Sequence, residues 1–295
     1  MVPSPAVPVA VNIDGVLHGQ DDAKVSVFDH GFLFGEGVYE VLRTYDRRPF
    51  LFPEHMRRLR ASAARIALDC PLSDEALLAR VRETVAAARL KGEAYVRILL
   101  TRGAGDIVYD PGACPSPTIV IIVKAHSETS AAAIVNGVAI SLAAVVRNHP
   151  GSVDPAIKSN NLLNNALAMQ QAYREGAFEA LMKNHRGELC ECAQSNIFFV
   201  RDGKLLTPPV SAGLLVGVTR GFVLELAAAS GQRAEQRVLF EEDLASMQEA
   251  FLTSTTREIV PVVRVGSRTI GDGRPGAVTR HLMDAFTAGV PGRLA

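Results

Sequence analysis

The chain has 295 residues, more than the roughly 100–200 of one domain, so one large or two medium domains are expected. Its 31 basic and 31 acidic residues cancel, which leaves no field to recruit nucleic acid, anionic lipid or polyacidic partners and favours work on small molecules. The longest apolar runs, such as Thr118–Val123, fall far below the ~20 residues that span a bilayer, and Met1-Val-Pro-Ser-Pro5 lacks a basic leader region, so no membrane span and a soluble, cytoplasmic protein are expected.

In chain order, Val9–Leu17 reads as a hairpin, because Asp14-Gly15 supplies the positive φ angles of a tight turn between alternating apolar residues. A helix over Pro53–Ile66 opens with proline and places Met56, Leu59, Ala63 and Ile66 on one face. A second begins at the cap residue Ser73, carries acids in its first turn and ends near Lys91-Gly92. Strands over Ala94–Thr101 and Thr118–Val123 follow, separated by the glycine- and proline-rich loop Gly103–Pro117, long enough to suggest a functional reason. After Val123 the chain turns small and polar. That change marks a linker over 124–136 between an N-terminal α+β domain, 1–123, and a C-terminal domain, 137–295. The second half holds β segments at Gly137–Val146, Glu179–Lys183, Asn196–Val200, Phe251–Thr253 and Ile259–Val265, with helices Leu162–Glu175, Thr219–Ser230 and Thr279–Phe286 among them.

The four cysteines, Cys70, Cys114, Cys190 and Cys192, show no C-x-x-C spacing and read as reduced thiols. The seven histidines form no metal-ligand pair, so no metal is expected. Two places look suited to an anion. At Gly217-Val218-Thr219 a glycine turn feeds a helix start, where free amides and the positive dipole end converge. At Thr253-Ser254-Thr255-Thr256 an apolar strand breaks into four hydroxyl residues. Glu191 runs into the apolar Ile197–Phe199 and would be costly to bury without a cationic partner. Lys158 stands in Ala-Ile-Lys158-Ser-Asn-Asn, just before a helix. A lysine amine for a Schiff base, an anion pocket and an acid for a ring nitrogen together fit pyridoxal 5'-phosphate.

The stretches Phe28–Glu40, Glu54–Leu59, Ala94–Arg97, Ile157–Leu162, Ser195–Phe198, Gly217–Arg220 and Thr253–Ile259 resemble the class IV pyridoxal-phosphate aminotransferases. The likeness runs over nearly the whole chain. It implies an α+β, two-domain fold of type IV, with a smaller N-terminal α/β domain and a larger C-terminal domain around a β-barrel-like core. It implies that Lys158 carries the Schiff base and shuttles the proton. It also implies that Glu191 partners the ring nitrogen and that Arg58, Val218, Thr219, Ser254 and Thr255 grip the phosphate. A homodimer is implied, with the active site between the two domains and the Gly103–Pro117 loop reaching the neighbour's site.

For substrate, Tyr95 and Arg97 match the branched-chain amino acid aminotransferases, where the tyrosine helps hold the α-carboxylate and the arginine meets the side-chain carboxylate of glutamate or 2-oxoglutarate. Arg43 follows that pattern, and Tyr39 and Thr256 are expected beside it. The chain departs from those enzymes in two places: Tyr39-Glu40-Val41 replaces Phe-Glu-Gly, a spelling nearer to the D-amino acid aminotransferases, and Leu163 stands where a tyrosine follows the lysine by five residues. The expected activity is therefore transfer of an amino group between a branched-chain L-amino acid and 2-oxoglutarate or another keto acid. The alternatives are a D-amino acid or (R)-amine transaminase, or an aminodeoxychorismate lyase that releases pyruvate.

Overall fold

The computed structural model describes residues 9–232 and 234–295, so the segment Met1–Pro5 read above lies outside them. The chain forms two compact units, one of Met1–Ser127, Ile157–Asn161 and Gly292–Ala295, the other of Glu128–Ala156 and Leu162–Pro291. Lys158 thus belongs with the N-terminal residues although it lies far along the chain. The segment expected as a linker carries the end of a strand, Thr118–Ala125, and a short helix, Ala131–Asn136. Among the described residues no helix is long and apolar enough to cross a membrane.

The first unit holds β1 (Val9–Ile13), β2 (Val16–Gly19), α1 (His30–Leu33), β3 (Gly37–Tyr45), β4 (Arg48–Pro49), α2 (Phe52–Ala64), α3 (Asp74–Ala87), β5 (Ala94–Thr101) and β6 (Thr118–Ala125). The strands make one antiparallel sheet in the order β2-β1-β6-β5-β3-β4. Asp14 and Gly15 turn the expected hairpin at φ 51° and 97°. One face is the core: Val96, Ile98 and Leu100 of β5 and Ile119, Ile121 and Val123 of β6 are buried, packed by Met56, Leu59 and Ala63 of α2 and Leu77 and Val81 of α3, each of these side chains larger than alanine worth about 1.5–3 kcal/mol of burial. Ser73 caps α3 as expected, accepting from the Ala76 amide. That helix ends earlier than expected, at Ala87, because Arg89 turns the chain at φ 49°. No strand was expected over β3. Its core-facing residues are Val38, Glu40, Leu42 and Thr44, and the buried glutamate spoils the apolar alternation by which such a strand is recognised.

The second unit comprises α4 (Ala131–Asn136), β7 (Val138–Leu142), α5 (Leu163–Arg174), β8 (Ala180–Lys183), β9 (Leu189–Cys192), β10 (Asn196–Arg201), β11 (Lys204–Thr207), α6 (Val218–Ala229), β12 (Ala234–Gln236), β13 (Glu249–Ser254), β14 (Glu258–Val265), β15 (Arg268–Thr269) and α7 (Ala277–Gly289). Its mixed sheet runs β12-β11-β10-β13-β14-β7-β8-β9, with β15 on β14. Because β9 leads straight into β10 through a turn closed by the Cys192 amide on the Ser195 carbonyl, the sheet curls back on itself as a half-barrel. Ile140, Leu181, Leu189, Ile197, Phe199, Leu252 and Val260 share one buried cluster on its inner face. On the outer face Phe198 stacks on Phe251, with centroids 5.0 Å apart. There α6 and α7 meet edge to face through Phe222 and Phe286, and Glu249 of β13 accepts the Val278 and Thr279 amides at the start of α7.

Candidate active site

In the first unit the residues Ile157–Asn161 form a strap along the start of β3. Tyr39 donates its amide to the Lys158 carbonyl, and Asn160 donates its own to the Gly37 carbonyl, both at 2.9 Å. The Lys158 amide donates to Ser62 Oγ of α2 at 3.2 Å. Gly37 keeps this approach close, since a Cβ on it would lie 2.5 Å from Asn160 Nδ2 and 3.0 Å from the Leu100 carbonyl oxygen. The Lys158 ammonium lies over the Tyr39 ring, 4.5 Å from its centroid, and the Arg97 guanidinium lies over the same ring at 4.0 Å.

Alternation along the strands puts Tyr39, Val41 and Arg43 of β3 on the face opposite the core. Tyr95, Arg97 and Leu99 of β5, and Val120 and Ile122 of β6, share that face, through the pairs Tyr39 with Leu99, Val41 with Arg97 and Arg43 with Tyr95. Arg43 sits over Tyr45 at 4.2 Å, four residues or about 13 Å along β3 from Tyr39. It is therefore not brought to Lys158 as Tyr39 and Arg97 are.

Arg58 faces Glu40 across the core side. Its Nε donates to Oε1 at 2.7 Å and its Nη2 to Oε2 at 2.8 Å, a forked pair, and His55 Nδ1 meets Oε2 at 2.7 Å. Glu40 and His55 are fully buried. Burial alone would push the Glu40 carboxyl up, but the Arg58 guanidinium and His55 overcome it and hold the carboxyl at about 2. Burial pushes the His55 imidazole down against the pull of Glu40, with Arg58 and Lys158 adding to the fall, so His55 serves Glu40 as a neutral donor. Ser62 lies one helical turn beyond Arg58 on α2, so the same helix edge carries the guanidinium and the hydroxyl that fixes the Lys158 strap.

In the second unit Glu191 is buried on β9. Its Oε1 accepts from Arg147 Nε at 2.9 Å, and its Oε2 accepts from the Leu215 amide at 3.0 Å and Asn196 Nδ2 at 3.4 Å. Arg147 is itself held by Asn164 Oδ1 at 3.0 Å. The cationic partner required for a buried acid is therefore Arg147, which sequence reading did not single out. Flanking Glu191, burial pushes the Cys190 thiol up to about 12 and Cys192 well above the ordinary thiol range, so neither is a thiolate nucleophile.

Asn196 ties this acid to the anion cradle. Its Nδ2 also donates to the Leu215 carbonyl at 2.9 Å, its Oδ1 lies where a Cβ on Gly217 would fall, and it pairs with Thr253 across β10 and β13. Helix α6 starts at Val218 with Gly217 as its cap residue and no side chain capping it, so the first-turn amides, Val218 and Thr219 among them, have no intrahelical partner. Ser254, the last residue of β13, and Thr255 and Thr256 of the turn that follows are half-buried. Buried beside them, Thr253 Oγ1 has no hydrogen-bond partner, an orphan of the kind a bound group satisfies. An acid, a glycine with no room for a side chain, helix-start amides and a run of hydroxyls thus converge within this unit.

The chain matches the amino-transferase class IV family over residues 37–265. It belongs to that family. It is similar to a Methanocaldococcus jannaschii protein named "Putative branched-chain-amino-acid aminotransferase", 38% identical over 94% of each chain. It is also similar to the D-alanine aminotransferase of Bacillus licheniformis, 33% identical over 94% of this chain and 95% of that one. Among solved structures it resembles the T.th. branched-chain amino acid aminotransferase complexed with N-(5'-phosphopyridoxyl)-L-glutamate, with a TM-score of 0.88 and 28% identity over 96% of this chain and 94% of that one. The class IV aminotransferases work with pyridoxal 5'-phosphate, the cofactor expected from the residues, and the donor set of the second unit has the chemistry to take its ring nitrogen and its phosphate.

Sequence reading missed Glu40, His55, Ser62, Arg147 and Asn196. The one available signal was Glu40 itself, an acid placed where the strand alternation of Val38 and Leu42 calls for an apolar residue.

Proposed function

We propose that this class IV aminotransferase moves an amino group from a branched-chain L-amino acid to 2-oxoglutarate. The observation that carries the substrate reading is the open face of the first sheet, where the half-buried Val41, Leu99, Val120 and Ile122 surround the Arg97 guanidinium and the Tyr39 and Tyr95 rings. An apolar strip accepts leucine, isoleucine or valine. A guanidinium within it accepts the second carboxylate of glutamate or 2-oxoglutarate. The M. jannaschii relative and the phosphopyridoxyl-glutamate complex support the same reading.

When bound, pyridoxal phosphate supplies an aldehyde that takes the amino group and a ring that accepts an electron pair. Lys158 Nζ takes up the substrate Cα proton and returns it later in the cycle. Glu191, paired with Arg147, would keep a proton on the ring nitrogen. Arg58, the Val218 and Thr219 amides, Ser254 and Thr255 hold the phosphate. Tyr39, Tyr95, Arg97 and Thr256 orient the substrate, whereas Arg43, turned to Tyr45, does not. Borohydride treatment of the holoenzyme followed by peptide mapping tests the first assignment, with the cofactor expected on Lys158 and on no other lysine.

A second reading, a D-amino acid transaminase, draws on the B. licheniformis relative and on Tyr39-Glu40-Val41. Half-reaction spectra with L-leucine, L-glutamate, D-alanine and (R)-1-phenylethylamine separate the two. L-leucine and L-glutamate are expected to convert the cofactor, and conversion by only the other pair would overturn the branched-chain reading. Pyruvate formed without an amino acceptor would instead mark a lyase.

The enzyme is further proposed to act as a homodimer through the Gly103–Pro117 loop. Its tip exposes Ile107, Val108 and Tyr109, apolar surface of the kind a partner covers, and the residue just before the tip is pinned by His30 Nε2 on the Asp106 carbonyl at 2.8 Å. A fully active monomer on size-exclusion chromatography would refute it. The free thiols suit a reducing cytoplasm, which cell fractionation checks.

A further inference from the structure

Glu179, at the edge of β8, is a fully buried carboxylate with no part in the chemistry above. Its Oε2 accepts from Arg257 Nη2 at 2.7 Å and from Ser195 Oγ at 3.0 Å, and its Oε1 accepts from the Gln194 amide at 2.5 Å. Arg257 also lies over the Phe178 ring at 5.2 Å, so its guanidinium is fixed by an acid at one end and by an aromatic face beside it. Its Nε donates to Ser254 Oγ at 3.3 Å.

We propose that Glu179 and Arg257 are positioning residues that commit the Ser254 hydroxyl to donating a hydrogen bond to a phosphate group. A serine hydroxyl has one donor and two acceptor sites, whereas a guanidinium only donates. With Arg257 occupying an acceptor site, the Ser254 O–H must be spent on an acceptor elsewhere, and the adjacent cation strengthens that donor. Because Glu179 neutralises the guanidinium, Arg257 serves the anion through Ser254 and not as a free charge. Both oxygens of Glu179 also grip the Gln194-Ser195 turn that leads from Glu191 into Asn196, the neighbour of Thr253. One buried acid therefore sets the spacing between the ring-nitrogen acid and the hydroxyl turn. This inference rests on the reading of Ser254 as a phosphate ligand.

The test uses apoenzyme prepared from the holoenzyme and titrated with pyridoxal phosphate, for the parent, Ser254→Ala, Arg257→Gln, Arg257→Lys, Glu179→Gln and the Ser254→Ala/Arg257→Gln double variant. Ser254→Ala and Arg257→Gln are each expected to weaken binding about tenfold, the worth of one charge-assisted hydrogen bond. The double variant should be no weaker than the weaker single one, because both remove the same bond. Glu179→Gln should fall in the same range, Arg257→Lys should recover part of the affinity, and the 31P resonance of bound pyridoxamine phosphate should shift alike in the two single variants. Losses that multiply to about a hundredfold would mean that Arg257 acts on its own. Parent-like affinity in Arg257→Gln and Glu179→Gln beside a weakened Ser254→Ala, even with lower apoenzyme melting temperatures, would overturn this inference alone and make the pair merely structural. Parent-like affinity in Ser254→Ala would overturn the phosphate reading with it.

Discussion

Arg58 and Glu40 form a forked ion pair, Nε to Oε1 at 2.7 Å and Nη2 to Oε2 at 2.8 Å, with Glu40 wholly out of solvent. The residue proposed to hold the cofactor phosphate is thus oriented from behind by a carboxylate of the sheet core. Removing either partner leaves an uncompensated group in the core. Glu40→Ala and Arg58→Ala are each expected to lower apoenzyme stability by about 3–5 kcal/mol, measured by urea unfolding. Glu40→Gln should lose less, since its amide can still accept from Arg58.

Acid should weaken the parent in two steps. Both groups have folded values below their unfolded ones, so each contributes stability that is present above its ordinary value and lost as pH falls. For His55 the loss begins below about 6.5, and for Glu40 it runs from about 4.5 down to about 2, the latter on the order of 3 kcal/mol in all. Melting temperatures across pH 7 to 3 should therefore fall more steeply in the parent than in a His55→Asn/Glu40→Gln variant, and parallel curves would contradict this account.

Arg147 is the counter-charge of Glu191, and Arg147→Leu should strand that acid among apolar neighbours. A stability loss of about 3–5 kcal/mol is expected. Arg147→Lys should lose part of that, because an ammonium cannot fork between Glu191 and Asn164. Denaturant midpoints of the two apoenzyme variants give the comparison.

Gly37→Ala tests the Lys158 strap. The added methyl would lie against Asn160 Nδ2 and, at 3.0 Å, the Leu100 carbonyl, so either the strap or the strand must move. Overpacking of this kind costs about 1–3 kcal/mol. A displacement of Lys158 by about 1 Å is expected to lower kcat roughly a hundredfold. A rate close to the parent's would show that the strap does not position the amine.

Much of the architecture was legible in the residues. The Asp14-Gly15 hairpin, the Ser73 cap, the alternation of β5 and β6 and the apolar stripe of α2 are rules of near neighbours, in which φ preferences and side-chain periodicity act over a few residues. The helix end at Arg89 and the strand over Gly37–Tyr45 were not legible. The first depended on a left-handed residue with no glycine to announce it, and the second on a glutamate turned inward.

The sequence by itself determined the chemistry available: one lysine among amides, an acid ahead of an apolar strand, a glycine feeding a helix and a run of hydroxyls, in the order that carries the family likeness. Only the tertiary structure decided which charge answers which. Arg147 meets Glu191 across 44 positions and Arg58 meets Glu40 across 18, and Lys158 is strapped to a strand more than a hundred residues before it. The reason is physical. A buried charge must find its counter-charge wherever packing brings one, and packing joins faces of elements whose distance along the chain carries no information about their distance in space.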